Sequence, residues 1–186
     1  MLTKEQIELI AQLVGIVAMA FNIFSFQQKS HKKVIAFQLV GGFLFSINFL
    51  LLGASVGCIL NVLAVIRAIV YISGEKLRAN SIFWVLFVSA VSFATYILTF
   101  TVFGEKFKLF SALIEFLPVF AMIISTVAFR MQNAKKIRFF GLMVSPSWLI
   151  YNITKGSIGA ILCEVFSLCS IVIGIIRHDI KKFKKS

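Results

Sequence analysis

The sequence predicts an all-α membrane protein of seven transmembrane helices, built as two parallel three-helix bundles joined by a linking helix. Composition, the spacing of apolar runs and the placement of basic residues lead to it. The chain of 186 residues is 60% hydrophobic and only 14% charged. Its mean hydropathy is +0.98. Soluble domains are nearer half apolar and a quarter charged. A helix needs roughly 20 apolar residues to cross a ~30 Å hydrocarbon layer. No water is available there, so each crossing must close its own backbone hydrogen bonds as a helix.

The apolar runs are 6–26, 34–52, 55–73, 81–103, 109–129, 138–153 and 157–177. The chain start sets Glu5 and Glu8 against Lys4, and no small-residue cleavage site follows. The first run is therefore read as a retained helix, not a signal peptide. Runs two and three are separated only by a tight turn at Gly53-Ala54, and the short sixth run holds Pro146. The whole chain, 1–186, reads as one membrane domain. It comprises a first unit (6–73), a link (81–103), a second unit (109–177) and a basic tail (178–186).

Basic residues in the loops set the orientation. One side holds Lys29, Lys32, Lys33, Arg67, Lys76, Arg78, Arg130, Lys135, Lys136 and Arg138, then Arg177, Lys181, Lys182, Lys184 and Lys185. Only Lys4, Lys106, Lys108 and Lys155 fall on the other. The heavy side is expected to be cytoplasmic, with the N-terminus outside and the C-terminus inside. A formal charge of +12 would point to nucleic acid in a soluble protein. Here the charges flank apolar spans, and no nucleic-acid partner is predicted. The tail serves either generic retention or contact with anionic lipid.

The two units match weakly but in order. At a shift of 103, Ala18, Met19 and Phe26 meet Ala121, Met122 and Phe129. At 104, Gln28, Lys32, Val40 and Asn48 meet Gln132, Lys136, Val144 and Asn152. A two-residue shortening in the outer turn then brings Ser55, Gly57, Ile59 and Leu60 onto Ser157, Gly159, Ile161 and Leu162. A second copy in the same orientation needs one extra crossing. Run 81–103 supplies it, with Trp84 and Tyr96 towards its ends as interface anchors.

This plan resembles the SWEET sugar transporters and their half-sized SemiSWEET relatives, whose parallel repeats enclose sites near mid-membrane. The chain looks most like the YgjV-type bacterial inner-membrane proteins of the PQ-loop superfamily. The likeness rests on Ser25-Phe26-Gln27-Gln28-Lys29, Leu52-Gly53-Ala54-Ser55-Val56-Gly57, Arg67 to Tyr71, and Gly156-Ser157-Ile158-Gly159. It implies a bacterial inner-membrane location and a transporter fold. It also implies hinge positions, which SWEET proteins occupy with proline. Here Pro118 and Pro146 stand in the second unit, with Gly15 and Gly42 at the matched places. The Pro-Gln pair that names the superfamily is absent.

Charge buried in a membrane costs at least about 2.5–3.5 kcal/mol for a carboxylate such as Asp. Glu115 and Glu164 lie well inside their runs, about 9–11 Å below the outer edge at 1.5 Å per residue. Gln12 and Asn61 share that depth, so the candidate substrate-binding layer is Gln12, Asn61, Glu115 and Glu164. No arginine or lysine is expected at the depth of the glutamates. Gln12, Gly15, Met19 and Asn22 fall within about 80° on a helical wheel, as do Glu115, Pro118, Met122 and Ser125. Polar residues at such depth either line a solute path or bond helix to helix. A glutamate that gains and loses a proton would couple solute movement to a proton gradient.

Arg67 either contacts an anionic solute, reaches Glu164 or snorkels to the surface. Asn48 and Asn152, with Trp148 nearby, form an outer gate or cap helix ends. Cys58, Cys163 and Cys169 lack metal-ligand spacing and a disulfide framework. His31 and His178 stand alone, and no catalytic motif appears, so neither enzyme activity, metal nor cofactor is predicted. The expected function is a small-solute transporter or facilitator working by alternating access. Its rival is a non-transporting membrane sensor or assembly partner. The lipid bilayer and an unidentified small solute are the expected partners; monomer and homo-oligomer both remain open.

Overall fold

The computed structural model describes residues 3–26, 31–131 and 134–176. Lys29, Gln132, His178, Arg177 and the rest of the basic tail lie outside the described residues, as do Gln27 and Gln28. The described chain is all-helical, with seven α-helices that fall on the seven apolar runs. They are α1 (Lys4–Phe26), α2 (His31–Leu51), α3 (Ser55–Ser73), α4 (Ile82–Thr101), α5 (Leu109–Arg130), α6 (Ala134–Lys155) and α7 (Ile158–Gly174). A short 3-10 turn, Gly74–Leu77, follows α3.

Four stretches are long and apolar enough to cross a membrane: Lys4–Ser25, Ser55–Leu77, Ile82–Thr101 and Leu109–Arg130. Ile35–Leu51 and Ile158–Ile173 are shorter apolar stretches. Large apolar side chains cover the outside of the bundle, including Leu50 (66% exposed), Leu86 (62%) and Phe166 (52%). An apolar exterior of that extent suits lipid, not water.

The helices pack in a closed circuit. α1 meets α2, α2 meets α3, α3 meets α5, α5 meets α6, α6 meets α7, and α7 returns to α1. α4 stands outside the ring, against α3 and α5. Its buried face is Val85, Val88, Ser92, Thr95 and Thr99. The three hydroxyls donate to the carbonyls of Val88, Val91 and Thr95 on their own helix. These bonds satisfy the polar atoms locally and leave a smooth surface for packing. Trp84 donates to the Leu77 carbonyl at 2.8 Å, and Tyr96 to the Ala112 carbonyl at 3.3 Å. Both anchor residues therefore bond to the protein itself.

The α2–α3 and α6–α7 turns have one construction. Gly53 and Gly156 both sit at φ 69°, a conformation that glycine enters without a Cβ penalty. Gly53 N donates to Leu50 O, Ala54 N to Phe49 O and Cys58 N to Ala54 O. In the second turn Gly156 N donates to Ile153 O, Ser157 N to Asn152 O and Ile161 N to Ser157 O. Every partner is displaced by the same 103 residues. The two-residue shortening expected in this turn is absent. A single register places Asn152 opposite Phe49 in the pattern, not opposite Asn48, and places Glu164 opposite Asn61.

Candidate functional site

A cavity of about 260 Å³ lies inside the ring. All six ring helices line it, and α4 contributes no lining residue. Its charged members are Arg67 from α3 and Glu164 from α7; Asn22, Gln38, Asn61 and Asn152 add amides. The same displacement of 103 maps lining residue onto lining residue. Asn22 and Ser125, Gly42 and Ser145, Phe45 and Trp148, Phe49 and Asn152, Asn61 and Glu164, and Ala64 and Ser167 all stand in the wall.

Local chemistry holds each polar group. Asn61 donates through Nδ2 to the Gly57 carbonyl one turn back, at 2.8 Å. Ser145 on α6 hydrogen-bonds the Glu164 carboxylate. Arg67 Nη1 donates to Ser125 Oγ at 2.6 Å and to Thr126 Oγ1 at 3.1 Å. Its guanidinium lies 4.8 Å from the Phe129 ring centroid, within cation–π range. Arg67 thus reaches α5, not Glu164, and among the described residues no carboxylate lies within ion-pair distance of it. Asn152 Oδ1 is buried without a hydrogen-bond partner among the described residues.

The expected layer of four divides. Asn61 and Glu164 line the cavity; Gln12 and Glu115 do not. Gln12 Nε2 donates to Gly156 O at 2.8 Å, and its Oε1 accepts from Ile158 N at 3.0 Å. It clasps the α6–α7 turn and caps α7, which is helix-to-helix bonding. Glu115 is buried, and Lys155 Nζ lies 2.5 Å from its Oε1. The expectation that no lysine reaches this glutamate is corrected. Lys155 starts from the end of α6 and its flexible stem carries the ammonium inward. Lys155 also lies 3.7 Å from Glu105 and over the Tyr151 ring at 5.6 Å.

Tyr151 belongs to an aromatic cluster with Phe49 (6.0 Å) and Trp148 (5.9 Å). Phe49 and Trp148 face the cavity, so this cluster stands between it and the Glu115–Lys155 pair. Tyr151 escapes a reading by polarity because it looks like an interface anchor. Yet it is fully buried, and its hydroxyl accepts from Gly57 N at 2.8 Å. Ser145, a plain serine in an apolar run, is singled out only by its 103-residue displacement from Gly42.

The end carrying the two turns is tied together by buried hydrogen bonds and a close glycine contact. Asn48 Nδ2 donates to Ala11 O at 2.7 Å, and Ser157 Oγ donates to Asn48 Oδ1 at 2.7 Å. Gly15 and Gly159 meet backbone to backbone: a Cβ on Gly159 would fall 2.2 Å from the Gly15 carbonyl carbon. Gly42 is less crowded, with Val65 3.5 Å from its virtual Cβ. α5 continues through Pro118 and α6 through Pro146 as α-helix.

These features define an all-helical membrane protein with an internal, partly charged cavity. The chain belongs to the Imp-YgjV family of bacterial inner membrane proteins, whose model matches residues 9–182. No curated protein and no solved structure matches it.

Proposed function

We propose that the protein is a small-solute transporter or facilitator of the inner membrane. In this reading α1–α3 and α5–α7 are parallel repeats, α4 links them, and seven helices cross the bilayer. The N-terminus is outside and the basic end, opposite the two glycine turns, is cytoplasmic. The repeats rock against each other to expose the cavity to each side in turn, with SWEET-like mechanics. Gly15, Gly42, Pro118 and Pro146 supply compliance, and the solute contacts Asn61, Glu164 and Arg67. Glu164 is the candidate for proton coupling.

One observation carries the reading: a cavity lined by all six ring helices, with unlike charges in its wall. Charged side chains within membrane helices mark solute pathways when they face a cavity. The shared turn geometry and the six matched lining pairs support the repeat. Flux of radiolabelled solutes into liposomes holding only this protein tests the function. Saturable flux whose pH dependence Glu164→Gln removes is the expected result. Failure across sugars, amino acids and small organic ions would favour a sensor or assembly partner.

A further inference from the structure

We infer that the solute is a compact zwitterion, an α-amino acid with an apolar side chain. The inference rests on the cavity being a solute site and adds the class of solute. Arg67 and Glu164 line one cavity, yet each is held by hydroxyls and not by the other. Neither is paired with the other, so each can meet a ligand of opposite charge: the guanidinium a carboxylate, the carboxyl group an ammonium.

The spacing of the two poles sets the ligand's length. Ser125, which holds Arg67, is five residues from the end of α5 at Arg130. Ser145, which holds Glu164, is eleven residues from the start of α6 at Ala134. The helices are antiparallel neighbours, so the two levels differ by about 9 Å at 1.5 Å per residue. An α-amino acid separates nitrogen and carboxylate carbon by about 2.5 Å. Adding a charged contact of about 2.8 Å at each end gives about 8 Å. An α-amino acid matches this axial offset, and an ion of one sign leaves one pole unmet.

The rest of the wall suits an apolar side chain. Phe45, Phe49, Met122 and Trp148 line the cavity. Asn61 Oδ1 is a further acceptor for an ammonium. A volume of about 260 Å³ suits a small solute, since drug-sized ligands occupy roughly 300–1,000 Å³.

The test is equilibrium binding of tritiated leucine to the purified full chain in lipid nanodiscs. Competitors are 4-methylpentanoate, which lacks the ammonium, 3-methylbutylamine, which lacks the carboxylate, 6-aminohexanoate, whose charges are farther apart, and glucose. Leucine is expected to compete at least about 10-fold better than each. Arg67→Gln should erase the advantage over the amine alone, and Glu164→Gln the advantage over the acid alone. The wild-type competition series decides the matter if either variant fails to fold. Binding without flux would support the zwitterion and overturn transport. Flux of a sugar or singly charged ion, with no leucine binding, would overturn the zwitterion and leave transport standing. Equal competition by any single-charge analogue, or a preference for 6-aminohexanoate, also overturns it.

Discussion

Lys155, at the last residue of α6, closes on Glu115 inside α5 with Nζ 2.5 Å from Oε1. Glu115 is 4% exposed at its side chain and Lys155 is 21% exposed. Removing one partner of a buried pair leaves an uncompensated charge, a loss of about 3–5 kcal/mol when both are fully buried. The partial exposure of Lys155 lowers the expectation to about 2–3 kcal/mol for Lys155→Met. Thermal unfolding in detergent should show a marked fall in Tm, and a Glu115→Gln/Lys155→Met double variant should recover much of it. An unchanged Tm in the single variant would mean that the pair contributes nothing.

The Gly15–Gly159 approach makes a second, steric prediction. A methyl group on Gly159 meets backbone at 2.2–2.6 Å, which no side-chain rotation relieves. Gly159→Ala should cost at least about 1–3 kcal/mol, the range for overpacking, and should force α1 and α7 apart. Gly57→Ala meets rings of Phe49 and Tyr151 at 2.8–3.0 Å and should cost less, because those side chains can yield. Unfolding measurements that rank the two in reverse would contradict this packing.

Gln12 and Asn61 separate stability from binding. Gln12→Ala loses two hydrogen bonds to the α6–α7 turn, about 1–2 kcal/mol, without touching the cavity. Asn61→Ala loses one bond within its own helix and a cavity contact. Solute affinity should therefore fall for Asn61→Ala and stay near wild type for Gln12→Ala, as isothermal titration would report. Equal loss of affinity in both would place Gln12 in the site.

Arg67 tests geometry, not charge alone. Nη1 alone meets Ser125 and Thr126, which leaves the other guanidinium nitrogens for a solute; lysine keeps the charge but lacks that planar set of donors. Arg67→Lys should weaken solute binding by about 10-fold, roughly one charge-assisted hydrogen bond. Full retention of affinity would show that a point charge suffices.

Proton coupling belongs to Glu164 in this account and not to Glu115, which Lys155 already neutralises. Uptake measured against external pH should vary in the wild type and lose that variation in Glu164→Gln. A pH profile untouched by Glu164→Gln would remove the glutamate from any coupling role.

The helices are legible in the sequence because a bilayer demands long apolar runs, and glycine marks both turns at Gly53 and Gly156. Half of the candidate layer is legible too, since depth along a helix follows from residue counting. Asn61 and Glu164 are found that way. Counting says nothing of rotation about the helix or of the reach of a flexible stem, so it does not show that Gln12 and Glu115 stand away from the cavity or that Lys155 reaches Glu115. The register of the two halves is also hidden. Apolar residues interchange freely, so Asn48 and Asn152 align as easily as Phe49 and Asn152. Only the hydrogen bonds of the turns decide between them.

Alternating access to the cavity is tested most directly at Ser145, a wall residue beside Glu164. Ser145→Cys would be placed in a chain whose Cys58, Cys163 and Cys169 are replaced by serine. It would then be challenged from each face of oriented vesicles with a membrane-impermeant thiol reagent. Reaction from both faces, with the ratio shifted by bound solute, is the predicted result. Reaction from one face alone, unchanged by any solute, would contradict a rocking mechanism.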